Sequence, residues 1–363
     1  MKKKSKSGLE AGLKMDDVAR LAGVSKSTVS RALADSPLVN EETKKKIRAL
    51  ATSHNYIIDQ RARNFRLRQT HAITVAIPLM HDADQHISDP FFLDLLGHIA
   101  DALTEQGYDL LLSKAVPAEP DWLSKLVATR RTDGLILMGQ STQHDAINRL
   151  AMDYRPLVVW GAAMPGQNYT TVGSDNRAGG RQATQHLLDL GRRRIAFLGD
   201  RALPEIADRY QGYVDALNAA GLAASDDLLV TVHFASDAAY HGMRAFLNRG
   251  ADIDAVIAGS DVIAMSAIRA LNESGRQVPQ DVAVVGYDDI ALAAYVEPPL
   301  TTVRQDTVKA ANLLVDRLLA RARGEAAPST TIAPELIVRR SSGGAYQNAT
   351  TKTAVTANSA ADK

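Results

Sequence analysis

Residues 25 to 31 read Ser-Lys-Ser-Thr-Val-Ser-Arg. Ser25, Lys26, Ser27, Thr28, Ser30 and Arg31 all carry hydrogen-bond donors. Lys and Arg fit the O6 and N7 edge of guanine, while Ser and Thr fit phosphates or bases. Val29 and Leu33, four residues apart, supply the buried edge of a short helix, which leaves the donors on the rest of its surface. A purely structural helix does not need that density of donors, so the chemistry suggested is contact with a nucleic acid. On pattern alone, an ordinary solvated face stands as the alternative.

A second group of residues lies at the ends of apolar, β-rich runs. Open α/β sheets bind ligands beyond the carboxyl ends of their strands. That rule selects Asp89, Phe91 and Phe92 after the first run and Trp160 after the fourth. It selects Ser260 and Asp261 after the seventh, and Tyr287, Asp288 and Asp289 after the eighth. Carboxylates bond vicinal hydroxyls, and aromatic faces cover the C–H side of a sugar ring. Core packing is the alternative for Phe92 and Trp160, and a turn or helix cap for Asp288. Catalysis finds less support. The chain has no cysteine, which excludes disulfides, thiolate metal sites and cysteine nucleophiles. No P-loop, G-x-G-x-x-G, H-E-x-x-H or G-x-S-x-G occurs. Asp288 and Asp289 are adjacent, but neighbours in sequence need not face one pocket. No catalytic residue, metal or cofactor is expected.

The elements that must hold these residues follow from pattern and charge. A length of 363 residues sets a prior of two to three domains. Residues 1–70 hold 16 Lys/Arg against 7 Asp/Glu, whereas residues 71–363 hold 26 against 34. A basic head on an acidic body suggests that the head meets a polyanion. Residues 1–13 read as a disordered basic tail. Met15, Val18, Ala19 and Ala22 recur at helical spacing, and Gly23 then permits a tight turn. Ser25 suits the N-cap of the second helix. A third helix opens at Asn40 or Glu41, burying Ile47, Leu50 and Ala51 while Lys44, Lys45, Lys46 and Arg48 project. Two short helices around a glycine turn, braced by a third, read as a helix-turn-helix over residues 14–58. A basic segment, 59–70, follows. Over residues 71–340, nine apolar β-rich runs alternate with helices, which implies parallel sheets covered on both faces. Nine strands are too many for one compact sheet, so two similar lobes with a cleft are expected. Residues 341–363 are small, polar and aperiodic, and read as a disordered tail without a heptad. No apolar run is long enough to span a membrane, and a signal peptide's apolar stretch is missing, so a cytoplasmic location is expected.

The run DDVARLAGVSKSTVSRAL, followed by VNEETKKKIRALATSHNYI, resembles the headpiece of the lac repressor family of bacterial transcription regulators. Val18, Ala19, Ala22, Gly23, Val24, Ser25, Thr28, Val29, Ser30, Arg31, Asn55 and Tyr56 keep the register of that motif. The resemblance implies that Lys26, Ser27 and Arg31 face bases in the major groove, while Ser25, Thr28 and Ser30 hold phosphates. Residues 59–70 take the place of the family's hinge, with Ala62 matching its small residue and Phe65 standing where a Leu wedge enters the minor groove. An aromatic wedge also unstacks base steps. Ile58-Asp59 replaces the family's usual Pro-Asn.

In the body, SDNRAGGRQATQHLLDLGRRRIAFLGD, RYQGYVDAL and VGYDDIALAAYVEPPLTTVRQD are similar to segments of the same family. The resemblance implies an all-α headpiece on a two-lobed α/β body like the periplasmic sugar-binding proteins, with lobe crossings near Val172–Ser174, Thr301–Arg304 and Thr330–Pro334. It implies that Arg209 and Asp288 grip hydroxyls while Asp89, Phe91, Trp160 and Gln305 line the cleft. Many members carry Asn where this chain has Ser260. The expected function is a sugar-responsive regulator, foremost a repressor, which binds a near-palindromic operator as a homodimer. Residues 86–113 look like the corresponding segment of α-glucoside and maltose-type members. A co-repressed or activating regulator, or one answering another hexose derivative or a nucleoside, is the alternative. An enzyme with an added DNA-binding head ranks below these. A transport-binding protein fits the body but not the head.

Overall fold

The computed structural model describes residues 13–54, 56, 70–78, 88–115, 121–129 and 131–343. The chain divides after residue 70 into two compact units.

The first unit is three helices: α1 (Met15–Ala22), α2 (Lys26–Leu33) and α3 (Glu41–Ser53). Gly23 ends α1 at φ 70°, a left-handed conformation that glycine adopts without cost. Ser25 accepts the Thr28 N–H at 3.1 Å, and Asn40 accepts the Thr43 N–H at 2.8 Å, which caps α2 and α3. Val18, Ala22, Val29, Ala32 and Ile47 form the buried centre, and Leu13 packs against it from the segment expected to be tail. Two details differ from the sequence reading. Ala32, not Leu33, is the fully buried partner of Val29 on α2, while Leu33 is half-buried and packs at the edge of the same cluster. Lys44 does not project: it is buried between Asp35 at 3.1 Å and Glu41 at 2.7 Å.

The second unit holds two six-stranded sheets. In chain order the strands are β1 (Ala72–Pro78), β2 (Asp109–Ala115), β3 (Gly134–Met138), β4 (Leu157–Trp160), β5 (Thr170–Ser174), β6 (Ile195–Leu198), β7 (Leu229–Val230), β8 (Ala255–Ala258), β9 (Ala283–Asp288), β10 (Thr301–Arg304), β11 (Thr330–Ile332) and β12 (Glu335–Ile337). The first lobe orders them β11-β5-β4-β3-β1-β2, all parallel. The second orders them β12-β10-β9-β8-β6-β7, with only β12 antiparallel. The helices between are α4 (Pro90–Glu105), α5 (Trp122–Ala128), α6 (His144–Asp153), α7 (Asn176–Asp189), α8 (Pro204–Ala219), α9 (Ser236–Asn248), α10 (Asp261–Glu273) and α11 (Thr307–Ala322). The chain passes between lobes after β5, after β10 and between β11 and β12. These crossings fall where the sequence places them.

Three strands escaped the sequence pattern. β5 reads TTVGS and has one large apolar residue, yet all five positions are buried. β11 and β12 have three residues each, too short for alternation to show. The run expected as a strand over 228–234 is a strand only at Leu229–Val230. Ser341 and Ser342 are not tail. Ser341 accepts the Thr301 N–H at 2.8 Å and donates to Val284 O at 2.6 Å, while Ser342 meets Thr301 and His186, each at 2.9 Å. Small hydroxyl residues read as linker by composition but here satisfy buried backbone groups. Among the described residues, no helix is long and apolar enough to cross a membrane.

Candidate effector site and nucleic-acid face

The two lobes face each other across a cavity of about 790 Å³, part of it open to solvent. Its walls are the carboxyl ends of strands from both sheets, as the topology of open α/β sheets requires. Asp89, Phe91 and Trp160 line it from the first lobe, Arg209 and Asp288 from the second, and Gln305 from the crossing after β10. Six of the seven residues expected there are thus brought together.

Ser260 is the exception. Its hydroxyl accepts the Ile263 N–H at 3.3 Å, so it caps α10 and does not line the cavity. Serine is a common N-cap because its short side chain reaches back to the first turn.

Asp89 caps α4, accepting the Phe91 N–H at 2.9 Å. Burial raises its pKa, while the Phe91 and Phe92 amides hold it down. The Phe91 ring lies 5.9 Å from Trp160 and 5.7 Å from Phe92, which makes an aromatic wall.

Arg209 is held on three sides. Its Nε donates to Asn176 at 2.8 Å, its Nη1 to Gly259 O at 2.5 Å, and its guanidinium lies 3.7 Å from the Tyr287 ring centroid. It can sit there because α7 and α8 cross at glycines. A Cβ on Gly212 would overlap Arg177 O, and one on Gly180 would overlap Arg209 O. The glycine of RYQGY is therefore a packing requirement that puts the arginine at the cleft.

Asp288 closes β9 at φ 116°, and Asp289 follows at φ 56°. Successive non-glycine residues in this region are strained, and such strain persists only when the surroundings impose it. The two carboxylates part company. Asp288 faces the cavity and accepts Gln305 Nε2 at 2.7 Å. Asp289 turns away to Arg304 and Arg339, both at 2.7 Å. Burial pushes the Asp288 pKa well up, against the pull of Arg209 and with help from Asp261 and Asp89. Behind it Asp261 is fully buried, accepts Thr302 Oγ1 at 2.5 Å and the Ile290 N–H at 2.9 Å, and is pushed up to about 7, chiefly by burial.

Sequence reasoning missed Gln140, Asn176, Glu205 and Phe234. Asn176 sits in the SDNRAGG stretch and holds Arg209, so that motif carried the signal. Glu205 and Phe234 line the cavity from a helix start and an irregular segment that no motif marks. Gln140 is fully buried beside Gly139 and Ser141 of the cavity wall. Its Nε2 donates to Ala162 O at 2.6 Å and Tyr169 Oη at 3.1 Å. Among the described residues, no group of three or more His, Asp or Glu side chains could hold a metal ion.

On the head, Ser25, Lys26, Ser27 and Arg31 are exposed on α2 and its cap, with Thr28 and Ser30 half-buried. Ser25 Oγ lies 2.8 Å from both Ser27 Oγ and Thr28 Oγ1. Lys26 is turned back onto Asp16 of α1 at 2.9 Å, so it must leave that partner to reach a base. Ala62 and Phe65 lie outside the described residues.

Residues 14–59 match the model of bacterial regulatory proteins of the lacI family, and residues 184–342 match that of a periplasmic binding protein-like domain. The HTH-type transcriptional regulator CelR of Thermobifida fusca is 35% identical over 312 residues, 84% of this chain and 91% of its own. A solved complex of a regulator CelR with cellobiose is 32% identical with a TM-score of 0.68, covering 91% of this chain and 99% of its own. The ribose operon repressor of Escherichia coli K12 is 34% identical, covering 85% and 92%. The lac repressor dimer bound to operator and an anti-inducer superposes with a TM-score of 0.81 at 25% identity, over 92% and 99%. A helix-turn-helix head, a two-lobed body and matches along nearly the whole chain lead to one conclusion: this protein belongs to the lacI family of bacterial regulatory proteins, DNA-binding regulators of transcription that answer small effectors.

Proposed function

We propose that this chain is a repressor of carbohydrate-utilisation genes, released from its operator by a glucose-containing glycoside, with α-glucosides first. It acts as a regulator rather than an enzyme, in the cytoplasm where its operator is. The observation that carries this reading is the pairing, across one interlobe cavity, of Arg209 and Asp288 with the Phe91–Trp160 wall. Charged groups for hydroxyls facing an aromatic surface suit a pyranose. The α-glucoside choice rests on the likeness of residues 86–113 to that branch. Lys26, Ser27 and Arg31 read bases, Ser25, Thr28 and Ser30 hold phosphates, and two heads of a homodimer meet a near-palindromic site. Residues 59–70 act as the hinge, with Phe65 as its wedge.

A thermal-shift panel of maltose, trehalose, cellobiose and ribose tests the effector. A sugar present at 100 times its Kd adds about 2.7 kcal/mol of stability. The sugar that shifts the melt must also weaken operator binding in a direct titration. A sugar that instead tightens operator binding makes the protein co-repressed or activating.

A further inference from the structure

The charge and hydrogen-bonding character of the cavity goes a step further, on the reading that a sugar occupies it. We propose that the site selects a sugar bearing no phosphate or carboxylate group, and that Glu205 is a residue that enforces this choice.

Three carboxylates line the cavity: Asp89 from the first lobe, Glu205 and Asp288 from the second. Arg209 is the one cation among the lining residues, and two of its three nitrogens are already engaged by Asn176 and Gly259. An anion needs donors as well as charge, and the usual backbone source is a free helix N-terminus. Two of those at the cavity are taken by the protein's own side chains, and a third lacks its first N–H. Asp89 takes the first-turn amide of α4, and Asp175 takes that of α7. Helix α8 begins with Pro204, which has no N–H, and places Glu205 next.

A second observation concerns acceptors. Gln140 Oε1 is fully buried and has no hydrogen-bond partner. It closes on the side of Gly161 where a Cβ would stand, and Glu205 Oε1 lies 3.0 Å from the same point. Gly161 itself lines the cavity. The first lobe thus sets a buried acceptor behind Gly161, which leaves no donor there for an anion, and the second lobe sets the Glu205 acceptor at the cavity beside it. A ligand group that meets Glu205 at the cavity wall must donate to it, which a hydroxyl does and an ionised phosphate or carboxylate does not. Burial raises the pKa of Glu205, as it does for Asp89 and Asp288, so the cavity itself disfavours negative charge.

The test uses the full-length chain and matched pairs: glucose with glucose 6-phosphate and with glucuronate, trehalose with trehalose 6-phosphate, ribose with ribose 5-phosphate. Calorimetry reads the affinity of each. In every pair with a binding member, the neutral sugar is expected to bind at least ~100-fold more tightly. Glu205→Gln keeps the size and removes the charge, and it is expected to narrow that ratio by about tenfold, with an unchanged melting temperature showing that the fold is intact. Equal or tighter binding of an anionic partner by the wild type overturns the selection. An unchanged ratio in an intact Glu205→Gln overturns the role of Glu205, whereas Glu205→Asp, which keeps the charge, is expected to discriminate more strongly than Glu205→Gln. Silence of the wild type towards every sugar, neutral and anionic, overturns the sugar reading and this inference with it.

Discussion

A residue that reads a base and a residue that holds a phosphate are both cations on a helix surface, yet they fail differently. Arg31→Ala and Lys26→Ala should each cost about 1–3 kcal/mol of operator affinity and relax preference at one base position. Lys45→Ala on α3 should weaken all DNA sequences alike and flatten the salt dependence. Titration against operator variants at several salt concentrations separates the two patterns, and unchanged preference in both α2 variants would show that α2 does not read bases. Lys26 should show the smaller effect, because contact requires it to give up Asp16. In the body, Asp261 is a buried carboxylate whose charge state bears on stability. Its folded pKa, about 7, lies above its ordinary value of 3.8, chiefly through burial. The sign follows: its contribution is complete below the unfolded value and is lost as pH rises through about 7. Between pH 5 and pH 8 that loss is about 2–3 kcal/mol. Wild-type melting temperature should therefore fall over this range, and Asp261→Asn should flatten the fall, with Asp288 retaining part of it in the same direction. A variant whose melting temperature tracks the wild type at every pH would remove Asp261 as the source.

Among the elements, the α7–α8 pair carries the most exacting contact in the second lobe. Alanine is about 1 kcal/mol better than glycine inside a helix. Gly97→Ala on α4, where nothing lies within 4 Å, should thus stabilise by about 0.5–1 kcal/mol. Gly212→Ala should do the opposite, costing about 1–3 kcal/mol, because its methyl group forces α8 away from α7. Since α8 carries Arg209, sugar affinity should drop as well. Denaturant midpoints for both variants, with sugar binding for the second, check this; a stabilised Gly212→Ala would mean that the helices separate freely. The hinge is the other element with a distinct test. Phe65→Ala should weaken operator affinity and reduce DNA bending while leaving sugar binding intact, because a wedge acts only by unstacking a step. Gel-shift bending assays that show no change in either quantity would discard the wedge.

At the scale of the whole molecule, sugar and operator are linked by a coupling free energy, typically about 1–3 kcal/mol and equal in both directions. A sugar that closes the lobes must bind the DNA-free form more tightly to release the operator. Arg209→Ala and Asp288→Ala should then hold the operator as tightly as wild type and ignore the sugar. Each removes a charged group from the cavity and leaves the first unit, residues 1–70, untouched. Operator titration with and without sugar reads this directly. A wild-type response in either variant would place the effector elsewhere.

Local patterns were enough for the elements and for much of the chemistry. Helical spacing, the Gly23 turn and the Ser25 cap depend on neighbours within a turn or two, so α1 and α2 were legible to within a residue. The long apolar strands, the cleft between two lobes and six of the seven residues expected at the cavity were placed correctly too, because strand ends and motifs mark them. What the chain could not disclose along its length are relations between distant segments. Lys44 reads as solvent-facing until Asp35 is folded against it. Ser260 reads as a ligand contact until the first turn of α10 claims its hydroxyl. β5 has too few apolar residues to show, and it is buried by its place between β4 and β11 and under α11. Glu205 sits on α8 and Gln140 just beyond β3, 65 positions apart, and only lobe-on-lobe packing brings their oxygens to Gly161. Backbone preference and periodicity act over a few residues, whereas burial, pairing and charge at the cavity are set by whatever the tertiary fold places opposite.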